Sequence, residues 1–175
     1  EAAHGRAPAV ATGVKRCLPD CVVFCYQGDG DLAAIGTAEI IHAASRGENL
    51  TCIFINNTVY GMTNGQMAPT SLIGQKTATS RKGRDVKMHG YPLKISEMIA
   101  LLPGVIFVER TSLHDPAHVM KTKQALKKAF VNQIERKGFS LVEILSPCPT
   151  YMDMTPVESL TYVKDTLTKT YPLGI

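Results

Sequence analysis

Two short apolar segments separated by a helix-sized stretch constrain the fold of this chain more than any other feature. Residues 22–26 are β-branched and apolar and run into a glycine turn at residues 28–31, and residues 51–55 form a second such run. Between them, residues 32–46 are rich in Ala and Ile and stop at Gly47, a residue type favoured just past a helix end. A strand, a helix and a strand of these lengths predict parallel pairing with a right-handed crossover.

The rest of the chain repeats this alternation of strands and helices. The further predicted elements are strands at residues 105–108 and 140–145, a helix from an Asp115 cap and Pro116 to about Lys137, and a closing helix over residues 156–168. The predicted fold class is α/β, a doubly wound parallel sheet that binds its ligands at the carboxyl ends of the strands.

Composition limits the classes of partner and compartment. The 175 residues are predicted to form a single domain, and because the first residue is Glu1 rather than Met, we expect an N-terminal segment to be missing. A net charge of +4 without runs of like charge predicts no nucleic-acid binding, and the absence of an 18-residue apolar run predicts no membrane span. Five cysteines without a disulfide pattern favour a reducing cytoplasm.

Residues 61–92 form one stretch without helical or strand periodicity, rich in Gly, Thr, Ser, Lys and Arg. Loops of this length are usually functional, so we interpret residues 61–92 as a long active-site loop. Its basic side chains are expected to form a solvated face or, alternatively, a docking element for an acidic ferredoxin or for coenzyme A. These side chains are Lys76, Arg81, Lys82, Arg84 and Lys87.

Polar residues follow the first two predicted strands at a spacing that predicts a metal site. Asp29 lies within Gly28-Asp29-Gly30, and Asn57 follows the next strand. Carboxyl ends of neighbouring parallel strands lie side by side, so the Asp29 carboxylate and the Asn57 amide oxygen are expected to converge on Mg²⁺. The two glycines let the backbone approach a diphosphate, and the following helix directs its dipole at the anion.

This GDG and NN pattern resembles the diphosphate-binding motif of thiamine diphosphate enzymes. Three further strings resemble the β subunit of 2-oxoacid:ferredoxin oxidoreductases: HGRAPAVATG at residues 4–13, VYGMTNGQMAPT at residues 59–70 and SPCPTY at residues 146–151. The resemblance runs over nearly the whole chain and implies a thiamine diphosphate-binding fold.

The resemblance also implies roles for individual residues. The Mg²⁺ ligands would be Asp29, the Asn57 side chain and the Val59 main-chain carbonyl. Residues expected to contact the cofactor are Gly28, Asp29, Gly30, Asp31, Asn57, Gly61 and Thr63.

Three residues are assigned near the reacting atoms by the same resemblance. His4 would border the thiazolium ring, although a residue so near a chain start can also simply be solvated. Met62 would hold the cofactor in its bent conformation; the alternative is that this side chain simply packs in the core. Asn64 stands where relatives that take 2-oxoglutarate often carry a basic residue, so this amide favours pyruvate or a branched-chain 2-oxoacid.

The cysteines divide into two groups. Cys148 resembles the C-terminal ligand of a [4Fe-4S] cluster, whose other ligands in the family lie upstream of the HGR segment; one thiolate cannot hold such a cluster. The other four, Cys17, Cys21, Cys25 and Cys52, are expected to be buried structural thiols.

Two histidine pairs are interpreted as structural. His114 and His118 have the spacing of a helical zinc pair, but the helix is predicted to start between them, so they are expected to be cap and surface residues. Glu39 and His42 lie one turn apart and are expected to form a hydrogen-bonded pair at an interface.

The implied activity is oxidative decarboxylation of a 2-oxoacid to acyl-CoA with reduction of ferredoxin. The implied cofactors are thiamine diphosphate and Mg²⁺, and the implied partners are ferredoxin, coenzyme A and an α subunit carrying the pyrimidine-binding domain, without which the chain would be inactive. Two alternatives remain open: a non-oxidative thiamine diphosphate-dependent decarboxylase or synthase subunit, and a non-catalytic assembly subunit.

Overall fold

The computed structural model describes residues 1–174, and its centre is a parallel sheet of four strands in the order β1-β2-β6-β5. A separate two-stranded antiparallel hairpin is formed by β3 and β4. The strands are β1 (Phe24–Gly28), β2 (Thr51–Asn56), β3 (Val59–Tyr60), β4 (Gln66–Met67), β5 (Val105–Ser112) and β6 (Phe139–Leu145).

Helices connect and cover these strands. They are α1 (Ala7–Cys17), α2 (Thr37–Ser45), α3 (Val86–His89), α4 (Ile95–Ala100), α5 (Pro116–Ile134), α6 (Pro149–Met152), α7 (Pro156–Tyr162) and α8 (Thr168–Thr170). Two π-helical turns, Asp31–Ile35 and Val163–Leu167, precede α2 and α8, and a 3-10 turn occupies Gly61–Thr63.

Strand β2 shows that both faces of the sheet are covered. Cys52 and Phe54 pack into a core with residues of α2 and α4, whereas Ile53 packs on the opposite face against Ala125 and Ala129 of α5. Successive strand residues point to opposite faces, so a near-continuous apolar run signals burial on both sides. The predicted doubly wound parallel sheet is confirmed.

Element boundaries differ from the predicted ones where polar residues enter the core. β5 continues to Ser112 instead of ending at residue 108, because Arg110 is buried opposite Glu143 of β6. The Asp115 cap is confirmed, since its carboxylate accepts a hydrogen bond from the His118 backbone N–H at 2.8 Å. Helix α1 had no counterpart among the predicted elements.

Among the described residues, no helix combines the length and apolar character that a bilayer crossing requires.

The long loop is organised around Arg84, which corrects the expectation of a solvated basic face for this residue. Arg84 is only 6% exposed. Its guanidinium donates hydrogen bonds of 2.7–3.1 Å to five backbone carbonyls from both sides of the loop, those of Pro69, Ser71, His89, Gly90 and Tyr91. All five guanidinium N–H donors are matched to acceptors, so Arg84 is a cross-link and is withdrawn from any docking surface.

Candidate metal and cofactor site

The carboxyl ends of β1 and β2 lie side by side, with Gly28 in register with Ile55. Asp29 follows β1 directly and is only 3% exposed. Its carboxylate accepts hydrogen bonds from the Gly30 backbone N–H and from the Thr70 hydroxyl, both at 2.9 Å. The site therefore contains a fixed, buried carboxylate at the edge of the sheet where the sequence predicted one.

Burial raises the pKa of Asp29 from 3.8 to about 6, because it disfavours the charged form. Hydrogen bonds from Thr70 and from the backbone of Gly30, Thr58 and Val59 oppose part of this shift. Within the described residues, no cationic side chain forms an ion pair with Asp29. A buried carboxylate without a protein cation fits a divalent metal ligand, since a bound cation compensates the cost of burial.

The turn after β2 brings its backbone to the same carboxylate. Thr58 has a positive φ of 63°, and its carbonyl accepts hydrogen bonds from the Ser71 hydroxyl at 2.6 Å and from the Gln75 amide at 3.0 Å. The Asn57 side-chain oxygen accepts from the Val59 backbone N–H at 3.2 Å. These contacts support the turn that carries Asn57 and Val59, as a metal site built from these residues requires.

A buried polar network supports this turn from behind. The Asn56 amide donates to the Glu143 carboxylate at 2.7 Å, and Glu143 also accepts from Arg110 at 2.7 Å. Arg110 lies 5.3 Å from the ring centre of Tyr171, whose hydroxyl donates to the Thr70 carbonyl at 2.6 Å. The network thus returns to the residue that holds Asp29.

Sequence reasoning missed these supporting residues. The available signal was a charged residue inside an otherwise apolar strand, as with Glu143 in Phe139–Leu145. Such a residue is normally buried only with a partner. Its partner Arg110 lies 33 positions earlier in the chain, a pairing that periodicity does not specify.

The two glycines of the turn after β1 meet different surroundings. A Cβ atom added to Gly28 would have no heavy atom within 4 Å, so space for a ligand is open beside it. A Cβ atom at Gly30 would lie 2.2 Å from the Tyr60 ring, so only glycine fits beneath this side chain. The cofactor contact predicted for Gly28 therefore has room, whereas Tyr60 covers Gly30.

The HGR segment is brought to the same turn, although it lies at the start of the chain. The Asp31 carboxylate accepts a hydrogen bond from the Gly5 backbone N–H, and the His4 ring nitrogen lies 3.5 Å from it. Gly5 has a φ of +80° and packs so closely on Ile35 that a Cβ atom would collide. The side chain of His4 is 84% exposed. Asp31 thus attaches the HGR segment to the site.

The segment after β3 presents its side chains outward. Met62 is 99% exposed, so the core-packing interpretation of this residue is wrong. The exposed Thr63 hydroxyl donates to the side-chain oxygen of Gln66, which is half-buried, at 2.7 Å. Asn64 adopts the left-handed conformation with a φ of 78°, and its side-chain oxygen accepts from the Tyr151 hydroxyl at 3.3 Å.

Cys148 lies beside the candidate site. It is half-buried, and a Cβ atom added to Gly61 would be 3.2 Å from its sulfur and 3.5 Å from the Asn57 amide nitrogen. The C-terminal SPCPTY string and the two strand-end motifs are therefore neighbours in space.

The remaining cysteines correct one expectation. Cys17 and Cys21 are exposed, so they are not buried structural thiols: Cys17 is the last residue of α1, and Cys21 lies in the turn that follows it. Cys25 and Cys52 are buried as predicted and face each other in register on β1 and β2. The hydrogen bond with Cys25, together with burial, raises the pKa of the Cys52 thiol well above its ordinary value.

Two expectations about polar pairs are also wrong. Glu39 forms an ion pair with Arg6 instead of His42, which is exposed, because α1 packs against α2. His114 is no surface residue, since its side chain is only 5% exposed.

A family model defines the class of protein to which this geometry belongs. The model described as "Thiamine pyrophosphate enzyme, C-terminal TPP binding domain" matches residues 1–144. The chain therefore belongs to the thiamine pyrophosphate enzyme family, as its TPP-binding domain.

Two individual relatives resemble the chain over nearly its whole length. The chain is 49% identical over 173 residues to the ketoisovalerate oxidoreductase subunit VorA of Methanothermobacter thermautotrophicus, covering 99% of this chain and 36% of that protein. It is 38% identical to the 2-oxoglutarate synthase subunit KorB of Archaeoglobus fulgidus, covering 93% and 56%. These relatives confirm the resemblance drawn from the motifs.

A solved structure agrees with these relatives. The 2-oxoglutarate:ferredoxin oxidoreductase of Magnetococcus marinus, solved with 2-oxoglutarate, coenzyme A and succinyl-CoA bound, superposes with a TM-score of 0.74 at 28% identity, covering 93% of this chain and 50% of that one. The chain thus spans between about a third and just over half of the length of these proteins.

Proposed function

We propose that this chain is the thiamine diphosphate- and Mg²⁺-binding part of a 2-oxoacid:ferredoxin oxidoreductase. The enzyme would decarboxylate a 2-oxoacid oxidatively, form an acyl-CoA and reduce ferredoxin. The observation that carries the proposal is the buried Asp29 carboxylate, without a protein cation, beside the fixed turn that carries Asn57 and Val59. The relatives named above supply the reaction class.

The residues fit the cofactor as follows. Asp29, the Asn57 side chain and the Val59 carbonyl would hold Mg²⁺, an ion that prefers oxygen ligands and keeps positions for phosphate oxygens. The open space at Gly28 would admit the diphosphate, and Asp31, Gly61 and Thr63 would border it. Bound thiamine diphosphate supplies a ring that takes up the electrons left when a 2-oxoacid loses CO₂.

Three residues would act near the reacting atoms. Met62, which has almost no protein contact, would pack against the cofactor. His4 is tied to the site through Asp31 and would lie near the reactive ring. Asn64 would face the substrate, since its backbone conformation and the Tyr151 hydrogen bond orient its amide.

The substrate we infer is a branched-chain 2-oxoacid. Identity to ketoisovalerate oxidoreductase subunits is 49%, against 36–38% to 2-oxoglutarate synthase subunits. The neutral Asn64 also lacks the charge that would recognise a second carboxylate.

We further propose that catalysis requires an α subunit with the pyrimidine-binding domain. We also propose that the enzyme works in the reducing cytoplasm, consistent with five free thiols.

The test is turnover by the assembled complex containing the full-length subunit. We expect CoA- and ferredoxin-dependent CO₂ release that is fastest with 2-oxoisovalerate, slower with pyruvate and slowest with 2-oxoglutarate. Release of a free aldehyde without acceptor reduction would instead identify a non-oxidative decarboxylase. Absence of turnover together with absence of cofactor binding would identify an assembly subunit.

Cys148 would be one ligand of a [4Fe-4S] cluster whose other cysteines lie upstream of the HGR segment in the complete subunit. Its position beside Gly61 and Asn57 would place the cluster near the cofactor, as single-electron transfer requires. In the complete subunit, Cys148→Ser should lower the iron content and alter the low-temperature electron paramagnetic resonance of the reduced protein. Cys52→Ser is the matched control and should leave both unchanged.

A further inference from the structure

A cluster of metal-binding side chains lies at the start of α5, apart from the cofactor site. His114, Asp115 and His118 each offer a ligand atom, and these atoms lie within 4.8 Å of one another. The cluster follows β5, which is an edge strand separated from β2 by β6. No step of the proposed reaction uses these three residues.

The carboxylate of Asp115 bridges the two imidazole rings. One oxygen lies 3.1 Å from Nε2 of His114, and the other lies 2.8 Å from Nδ1 of His118. The ring centres lie 4.0 Å apart, with the ring planes tilted by 36°. The helix start between the two histidines therefore does not separate them, since both rings contact the carboxylate of the capping residue Asp115.

The orientation of His114 is fixed from outside the cluster. Its Nδ1 lies 2.8 Å from the hydroxyl of Ser112, which is fully buried at the end of β5. Histidines that bind metals almost always use their second ring nitrogen in this way, and the outer partner fixes the ring and its tautomer. The arrangement leaves Nε2 of His114 directed at the carboxylate.

We propose that His114, Asp115 and His118 bind one Zn²⁺ ion. Zinc accepts imidazole nitrogen and carboxylate oxygen at 2.0–2.2 Å, so tetrahedral ligands lie about 3.4 Å apart. The distances from the Asp115 carboxylate to the two imidazole nitrogens, 3.1 and 2.8 Å, are close to this spacing, and all three ligand atoms lie within 4.8 Å of one another. A water molecule would complete the tetrahedron, as is usual where three protein ligands are present.

Capping alone explains only part of the cluster. The Asp115 oxygen that accepts the His118 backbone N–H satisfies the helix start by itself. It does not account for the second carboxylate oxygen on His114 or for the buried Ser112 hydroxyl behind that ring. These two contacts hold the His114 ring against the carboxylate, the preorganisation that a metal ligand requires.

The experiment measures zinc bound by the full-length subunit in its complex, with Mg²⁺ and thiamine diphosphate in excess. After dialysis against micromolar free Zn²⁺, mass spectrometry of the elements should give one zinc per subunit. Zinc-edge X-ray absorption, which iron does not obscure, should show two imidazole ligands. Asp115→Asn keeps a helix-capping side chain but removes the carboxylate, and it should weaken zinc binding by more than about tenfold.

Further variants separate this site from others. Ser112→Ala should weaken zinc binding by about tenfold through the outer contact alone. His42→Gln, in an exposed histidine on α2, is the matched control and should bind zinc like the unaltered protein. Absence of bound zinc, equal binding by Asp115→Asn, or loss of zinc only when Cys17 and Cys21 are replaced would each overturn the proposal.

Discussion

The long loop has a front segment and a back segment, and the two differ in how the protein orders them. The front segment, residues 61–67, has a fully exposed Met62, two consecutive residues with positive φ at Asn64 and Gly65, and a hydrogen bond between the side chains of Thr63 and Gln66. The back segment, residues 68–91, has a buried Arg84 that satisfies five backbone carbonyls. A loop segment without regular secondary structure can thus be ordered by one buried guanidinium. In the front segment, by contrast, the apolar side chain of Met62 stays exposed, where a ligand could cover it.

This difference changes the interpretation of the loop as a whole. The sequence predicts residues 61–92 to be a single unit, one long active-site loop. The contacts instead divide the unit, so ligand-dependent ordering is expected only in the front segment. The predictions below test this division, from the largest expected effect to the smallest.

Removing the guanidinium should have the largest effect. Arg84→Ala leaves five carbonyls of the back segment without their donor, and we expect a loss of about 3–5 kcal/mol in the free energy of unfolding. Urea denaturation measures this loss, and hydrogen exchange should rise in residues 68–91. The matched control, Arg81→Ala at an exposed position, should change stability by less than about 0.5 kcal/mol. An equally small effect of Arg84→Ala on stability would contradict the claim that Arg84 orders the back segment.

Removing the proposed metal ligand Asp29 should affect cofactor binding and leave the fold intact. Asp29→Ala should weaken Mg²⁺-dependent binding of thiamine diphosphate by more than about 100-fold, since outer-shell changes alone cost about 10- to 100-fold. Calorimetry of the assembled complex gives the affinity. Asp20→Ala, at an exposed acidic residue, is the control and should bind normally. Unchanged affinity in Asp29→Ala would refute the site.

Metal binding should depend on pH because the pKa of Asp29 is raised to about 6. Protons compete with Mg²⁺ for this carboxylate, so the affinity should fall by up to about tenfold per pH unit below 6 and level off above it. The stability of the metal-free protein should change in the opposite sense: it should fall as the pH rises from about 4 to 6. The reason is that the native state binds the Asp29 proton more tightly than the unfolded chain does. Thr70→Val removes a hydrogen bond that lowers this pKa, so it should move the midpoint upward. A midpoint that does not respond to Thr70→Val would assign the titration to another group.

The smallest effect is expected from the front segment in the metal-free protein. Met62→Ala should leave the stability unchanged within about 0.5 kcal/mol but weaken cofactor binding by about fivefold, through loss of apolar contact worth about 1 kcal/mol. Leu72→Ala, at a buried position of the back segment, should instead destabilise the protein by about 2–5 kcal/mol. Cofactor and Mg²⁺ should protect residues 61–67 from hydrogen exchange and change residues 68–91 little. Equal protection of both segments would contradict the division.

The sequence by itself determined the parallel sheet and the placement of the main motifs. Apolar, β-branched runs of strand length, separated by helical stretches, leave few alternatives, because crossover handedness and pairing follow from general sterics. Asp29 and Asn57 were predicted to meet for the same reason, since ends of adjacent parallel strands must be neighbours. The Asp115 cap was likewise local, because a capping residue acts within its own turn.

Only the tertiary structure decided the contacts that join distant parts of the chain. The Glu143–Arg110 pair, the hydrogen bond from Tyr171 to Thr70 and the clustering of His114 over α5 depend on how elements pack. Arg84 appeared in the sequence as one cation among several, and its burial follows from carbonyls that converge only after folding. Local periodicity encodes which face of an element is buried, but it carries no information about which distant polar group completes a buried hydrogen bond.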